Sequence, residues 1–499
     1  MNINVAILAF EYLHSVEALK LAISKFKNEK IFINPSIWTA RDGIKSKVNN
    51  LFPECKFLDA GKGWHGYFRK PLECYELIKL TELEKKHFSY THSRLSFFRD
   101  PARFNKNDIK IYTEITNYCY TLLKTNNVQL CFFISMPHTL LDLGFLYAAQ
   151  RLEIKILIRG GPYIGDFNYP VLMNNNINIS ASYPVSNTLI HDFKVEFNRR
   201  NLKINIEEPS YMENPNTNMP SIPEPESIFF HKSLIQKIYS ITKNKSLSIF
   251  ADKVFFKLKK YYCIVYIKLI KKLFVTKEDS VIGKDYILVL LQYHPEQTTS
   301  TSALDTPFED ERVLNLAQKY PDKLILVREH PGNIRRTEIN QYRSIRALRE
   351  LSKLKNVRYL FPDSREKYLQ ILEKALFTVS TSGTVALESI QLGVPSIHFS
   401  NSFAKGFPGI VVVSSVDEID IEDITLEKNN LNNMSLNDLI DGCLNAMTER
   451  PMEEGFITGY HNKVYTSNEY LTGASNIIFS CLNYALSAYF PKPRLANNR

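Results

Sequence analysis

At 499 residues the chain is too long for a single hydrophobic core and predicts two or three domains. Its 44% hydrophobic and 23% charged residues are the composition of an ordered globular protein, which excludes a disordered or fibrous one. A net charge of +10 predicts anionic partners but does not choose among nucleotides, phospholipid headgroups, acidic glycans and nucleic acid.

The chain opens on MNINVAILAF, which lacks a cationic leader and a small-residue cleavage site and reads as a buried strand, not a signal peptide. Val5–Phe10 is that strand, Ser15–Phe26 a helix and Lys30–Ile33 a second strand. Further on, Gln129–Ser135 reads as a strand, Thr139–Arg151 as a helix and Lys155–Arg159 as a strand. Strands alternating with helices predict a parallel sheet covered on both faces. Gly61-Lys62-Gly63-Trp64-His65-Gly66 matches a dinucleotide fingerprint in letters only: it does not follow the first strand and carries Trp64 inside the turn. Gly160-Gly161-Pro162, after the strand at 155–159, predicts a cleft loop leading to Asp166.

Five prolines (Pro209, Pro215, Pro220, Pro223, Pro225) among Asn, Ser and Glu mark a linker. Residues 232–275 then carry eleven lysines against one acid, Asp252, with apolar residues at Phe250, Val254, Leu258, Val265, Leu269 and Leu273. Two readings stay open: a basic amphipathic helix lying on anionic lipid, or a helical hairpin packed beside the linker with solvated lysines.

A second alternation begins at Asp285. Strands are expected at Tyr286–Leu291, Lys323–Arg328, Asn356–Phe361, Leu376–Ser380 and Pro395–Phe399. Helices are expected at Asp310–Lys319, Ile339–Leu354, Arg365–Lys374 behind a Ser364 cap, Val385–Gln391, Leu436–Arg450 and Ala474–Tyr489. No stretch reaches the ~18 uncharged apolar residues of a membrane-spanning helix. The seven cysteines (Cys55, Cys74, Cys119, Cys131, Cys263, Cys443, Cys481) lie scattered without metal-ligand spacing and read as buried thiols of a reducing compartment. A cytoplasmic protein is expected.

Three strand ends of the second unit carry chemistry-bearing residues. After the strand that ends at Ser380 comes a loop of small residues, Thr381-Ser382-Gly383-Thr384, and then a helix. Open parallel sheets bind ligands at the carboxyl ends of their strands, where such a loop suits a phosphate. Glu388, one turn into the helix, has the place of a carboxylate that accepts from ribose hydroxyls; the alternative is a solvated helix residue. The strand ending LVREHPGN brings Arg328 and His330 to one side, suited to a diphosphate or a leaving phosphate. LLQYHPEQTTST places His294 and Glu296 at the third strand end.

These motifs, in this order, resemble the bacterial capsule polysaccharide biosynthesis family of GT-B glycosyltransferases, which is Kdo-transferase-like. The residues that carry the resemblance are YHPEQTT, REHP at Arg328–Pro331, Tyr342-Arg343-Ser344, Asn356-Val357, and the run from Ser380 through Gly383-Thr384 and Glu388 to Gly393 and Pro395. In the first half, FFISMPHTLLDLGFLYAAQRLEIKILI resembles the family's strand–Pro-His–helix–strand element, with Pro137 and His138. The likeness covers about 280–415 well and 128–160 fairly. One departure is that His294 stands directly beside Pro295; Glu296 keeps its place.

The resemblance implies an α/β, GT-B type fold with two Rossmann-like domains facing across a cleft and a lysine-rich helical insertion between them. The two alternations flanking the proline-rich linker set the expected limits: 1–204 for the acceptor domain, 205–284 for linker and basic segment, 285–430 for the donor domain, and 431–499 for C-terminal helices with a possible return to the first domain. The resemblance also implies transfer of a sugar from a CMP- or UDP-activated donor to a glycan or glycolipid of a capsule or lipopolysaccharide O-antigen, without metal or resident cofactor. Glu296, Asp166 and His138 are the expected catalytic groups; Arg328, His330, His294, Ser380, Thr381, Ser382, Gly383, Thr384 and Glu388 are the expected donor contacts. His138 has the alternative of capping the helix that begins near Thr139. Placement on the inner face of the cytoplasmic membrane through 232–275 fits this work, and nucleic acid is not an expected partner, since no nucleic-acid motif occurs. A non-hydrolysing sugar-nucleotide epimerase and a non-catalytic scaffold of the assembly machinery are the rival functions.

Overall fold

The computed structural model describes residues 2–8, 14–28, 31–37, 50–52, 78–93, 105–134, 137, 139–160, 169–174, 178–181, 265–275, 285–292, 303–331, 333, 345–361, 365–383, 385–400, 404–448, 475–476, 478–483, 485–486 and 490. The first unit runs β1 (Asn2–Leu8), α1 (His14–Asn28), β2 (Phe32–Ile37), α2 (Glu82–Ser93), α3 (Lys106–Thr125), β3 (Leu130–Phe133), α4 (Leu140–Arg151), β4 (Lys155–Gly160), β5 (Tyr169–Asn174) and β6 (Asn178–Ala181). Its sheet has the order β2-β1-β3-β4-β5-β6. The pairs from β2 to β4 are parallel, as the alternation predicts. β4–β5 and β5–β6 are antiparallel, which the sequence did not signal. Only eight residues separate β4 from β5, too few for the helical crossover that a parallel neighbour needs, so the chain returns antiparallel.

Side chains alternate across this sheet as strand geometry requires. Ala6, Leu8, Cys131, Phe133, Ile156 and Ile158 pack with Phe88 of α2, Tyr112 and Ile115 of α3 and Leu146 of α4. Ile3, Val5, Ile7, Leu130, Phe132 and Leu157 pack on the other face against Val16, Leu19 and Phe26 of α1. The same face receives Ile478, Cys481, Leu482, Ala485 and Leu486, near the far end of the chain. Both helices that flank β3 are capped locally. Asn105 accepts from the Asp108 amide, and Thr139 accepts from the Asp142 amide while Asp142 reciprocates. The cap of α4 is therefore Thr139, not His138.

The second unit runs β7 (Tyr286–Leu290), α5 (Glu309–Lys319), β8 (Leu324–Arg328), α6 (Ile345–Ser352), β9 (Val357–Leu360), α7 (Arg365–Glu373), β10 (Phe377–Ser380), α8 (Val385–Gln391), β11 (Ser396–His398), β12 (Ile410–Val412), α9 (Ile421–Asn433) and α10 (Leu436–Thr448). Every neighbouring pair is parallel, in the order β12-β11-β10-β7-β8-β9. Counted from β9, this is the 3-2-1-4-5-6 order of a doubly wound Rossmann sheet. The two sheets are separate, and the fold is α/β with two Rossmann-like units. Ile287, Val289, Ile325 and Val327 face one layer, while Tyr286, Leu288 and Leu326 face α7 through Tyr368 and Ile371. Residues 265–274 form a helix whose Ile267 and Ile270 are buried in the second unit's core.

The units touch through α2. Lys86 pairs with Glu311 at 2.6 Å, and the Tyr90 ring lies 6.1 Å from that of Phe308. Two histidines on α2 are buried on tyrosines: His87 Nδ1 lies 2.5 Å from Tyr147 Oη, and His92 Nδ1 lies 3.0 Å from Tyr112 Oη. Cys119, Cys131, Cys443 and Cys481 are buried. Burial pushes the first three well up, which leaves them unreactive. Cys55, Cys74 and Cys263 lie outside the described residues. No described helix is long and apolar enough to cross a membrane.

Candidate functional site

In a doubly wound sheet the crevice lies where strand order reverses, here between the carboxyl ends of β7 and β10. Residues predicted from two strand ends, those of β8 and β10, meet at that edge. β7 leads into Leu291 and Gln292, β8 ends at Arg328 and continues to Glu329 and His330, and β10 ends at Ser380 before Thr381-Ser382-Gly383. Register fixes their heights: Leu290 pairs with Arg328 and Ser380 with His398.

Gln292 ties the reversal point together. Its side-chain Nε2 donates to the Ser382 carbonyl across the crevice, its backbone amide donates to Glu309 Oε1 at 2.8 Å, and Asn333 Nδ2 approaches its carbonyl at 3.5 Å. Gly383 sits at φ +141°, a conformation that side-chain-bearing residues rarely adopt, and a Cβ there would lie 3.3 Å from Gln292 Nε2. The glycine thus admits both the turn and the close approach of Gln292.

Behind the loop stands Arg312 of α5, 1% exposed. Its Nε and Nη2 donate to Asp305 at 2.9 and 2.6 Å, Nη2 also to the Thr306 carbonyl at 2.8 Å, and Nη1 to Thr381 Oγ1 at 2.8 Å. The guanidinium lies 4.3 Å from the Phe399 ring centroid. Ser400 Oγ donates to the Thr381 carbonyl at 2.5 Å. Thr381 is therefore gripped on both its side chain and its carbonyl, and its role is to hold the loop.

At the end of β8, Glu329 is buried. Its Oε1 accepts from the His330 amide and Asn333 Nδ2, each at 2.7 Å, and its Oε2 accepts from Tyr359 Oη at 2.5 Å. Glu329 thereby fixes the turn that carries His330. The Arg328 guanidinium stacks 4.5 Å from the Tyr368 ring centroid, and Tyr368 Oη donates to Glu388 Oε2 at 2.7 Å. Glu388 is fully buried and not a solvated helix residue. Its Oε1 and the Ser380 hydroxyl are buried without a hydrogen-bond partner among the described residues. Buried polar atoms are ordinarily paired, and these two are exceptions beside the switch point. α8 is short, seven residues, so side chains and loop more than a long helix dipole set the chemistry here.

Of the predicted residues, Arg328, His330, Ser380, Thr381, Ser382, Gly383 and Glu388 are gathered at one edge. Thr384, His294, Glu296, His138 and Asp166 lie outside the described residues, as do the Gly61–Gly66 run, the 205–264 segment, and Tyr342, Arg343 and Ser344. Gln292, Arg312 and Glu329 were not foreseen. Among the described residues no group of three His, Cys, Asp or Glu side chains has the arrangement of a metal site.

No family model and no curated protein matches the sequence. Among solved structures, the chain is similar to a UDP-GlcNAc 2-epimerase from Methanocaldococcus jannaschii, at 12% identity over 97% of this chain and 100% of that one, TM-score 0.23. It is similar to a glycosyltransferase from Rickettsia africae at 8% identity over 98% and 99% of the two chains, TM-score 0.22. It is also similar to KpsC of Thermosulfurimonas dismutans, a β-Kdo 2,7-transferase, at 10% identity over 68% and 81%, TM-score 0.25. Likenesses at such TM-scores carry no argument; the fold assignment rests on the strand order.

Proposed function

We propose that the protein is a GT-B type glycosyltransferase that binds a nucleotide sugar at the carboxyl edge of its second sheet and extends a bacterial surface polysaccharide. What supports the reading best is the switch point itself. A loop of small hydroxyl residues is braced there by Gln292 and Arg312, beside a buried serine hydroxyl and a buried carboxylate oxygen that lack partners. In this reading Arg328, His330 and, from the loop, Ser380, Ser382, Gly383 and Thr384 take the donor diphosphate, with Thr381 holding the loop in shape and His294 beside them. Glu388 offers Oε1 to a ribose hydroxyl while Tyr368 holds Oε2.

Transfer needs a base for the acceptor hydroxyl and stabilisation of the departing phosphate. Glu296, a few residues beyond β7, is our candidate base. His138 and Asp166, a few residues beyond β3 and β4, are the candidates from the acceptor-binding unit. The donor is a CMP- or UDP-sugar and the acceptor a glycan or glycolipid of capsule or O-antigen type.

The test is incubation of the purified protein with CMP- and UDP-sugars, with and without a glycolipid acceptor, followed by product analysis. Sugar on the acceptor supports the reading. An epimerised donor without transfer replaces it with an epimerase, and neither turnover nor nucleotide binding removes it.

A further inference from the structure

Six large apolar side chains are exposed among the described residues, and three of them, Val265 (43%), Leu269 (41%) and Leu273 (57%), stand on the helix 265–274. Their spacing of four places them in one stripe. The opposite face is occupied: Ile267 and Ile270 are buried in the second unit's core, with Tyr266 and Phe274 packed against it. The helix is thus anchored by one apolar face and turns a second apolar stripe to solvent.

Charge decides what that stripe fits. Lys268 and Lys272, also four apart, run alongside it, with Lys271 one step further round, and no acid occurs from 265 to 275. Lysine is depleted at the cores of protein–protein interfaces, so a protein partner matches this face poorly. Nucleic acid would use the lysines but not the aliphatic stripe beside them. Aliphatic side chains flanked by lysines do match the boundary of an anionic bilayer, where the stripe enters the headgroup region and the ammonium groups meet lipid phosphates.

We propose that the helix 265–274 is a membrane-contact surface, resting on anionic phospholipid through Val265, Leu269 and Leu273 with Lys268, Lys271 and Lys272. The inference stands on this helix alone and does not depend on the glycosyltransferase reading.

The experiment is co-sedimentation of the full-length protein with vesicles of phosphatidylcholine, and of phosphatidylcholine mixed with phosphatidylglycerol. Binding only to the mixed vesicles, weakening as salt is added, is expected. Changing Lys268, Lys271 and Lys272 together to Gln should lower partitioning about fivefold per charge, roughly 100-fold in all. Leu269→Gln with Leu273→Gln, which keeps a helix propensity close to that of Leu, should also lower it, while the unfolding midpoint moves little because neither leucine belongs to the second unit's core.

Equal binding to both vesicle types, no binding, or binding to anionic vesicles that both variants retain overturns the proposal. So does self-association that the leucine variant abolishes without any vesicle binding, since the occupant is then a second copy. A fall in the unfolding midpoint of the leucine variant without vesicle binding means that the chain's own preceding segment covers the stripe, and overturns it equally.

Discussion

Replacing Arg312 by Met tests the brace behind the candidate loop. The guanidinium is 1% exposed and the Asp305 side chain 12%, so removal of the cation leaves a carboxylate with little water and no partner of opposite charge at its two hydrogen-bonded oxygens. Thr306 and Thr381 lose their donors in the same step. Breaking a buried pair by removing one member costs about 3–5 kcal/mol. For a unit of 150–250 residues that is roughly a 6–20 °C fall in midpoint. The double variant Asp305→Asn, Arg312→Met removes the stranded charge as well. Its cost should fall to about 1–2 kcal/mol, that of lost packing and neutral hydrogen bonds. Urea unfolding followed by circular dichroism measures both. A single variant costing under about 1 kcal/mol, or a double variant as unstable as the single, would refute the claim that Arg312 and Asp305 act as a desolvated ion pair.

Glu388→Ala should weaken nucleotide binding by about 1–3 kcal/mol, read by titration calorimetry with CMP or UDP; unchanged affinity takes Glu388 out of the site. Glu296→Gln keeps the shape and loses the charge, so turnover should fall about 10²–10⁴-fold with donor affinity unchanged, and near wild-type transfer would shift the base to Asp166 or His138. Burial lowers the His87 and His398 pKa values from 6.5 to about 4. Both are held neutral in the folded state, so the stability they contribute is complete above pH 6.5 and is lost as pH falls from there toward 4. Urea midpoints should decline over that window by up to about 1.4 kcal/mol per pH unit per histidine, and His398→Gln should flatten the decline.

The second unit was the more legible because its strands are continuous apolar runs, YILVL and LILVR, which only a sheet buried on both faces tolerates. α2 escaped notice since His87 and His92, polar in sequence, are core residues once Tyr147 and Tyr112 reach them from other helices. α9, IEDITLEKNNLNN, buries only Ile424 and Leu431 and so carries almost no apolar period. At the site, local motifs identified the loop and His330, because glycine, proline and hydroxyl residues leave a signature within a few positions. Gln292 and Arg312 left none: their partners Ser382 and Thr381 are 90 and 69 positions away, and nothing near either residue encodes that meeting.

The packing of Ile478, Cys481, Leu482, Ala485 and Leu486 beneath β1 and β3 sets an order of events during synthesis. One face of the first sheet stays only partly covered, by α1, until these residues leave the ribosome, although its strands are made at the outset. At about 5–20 residues per second, the ~200 residues from β7 to Leu486 take roughly 10–40 s. The second unit has its own core and can close during that interval. The half of the protein translated first is therefore the half completed last. The part of that apolar face which α1 leaves open is the surface that chaperones would meet on the nascent chain.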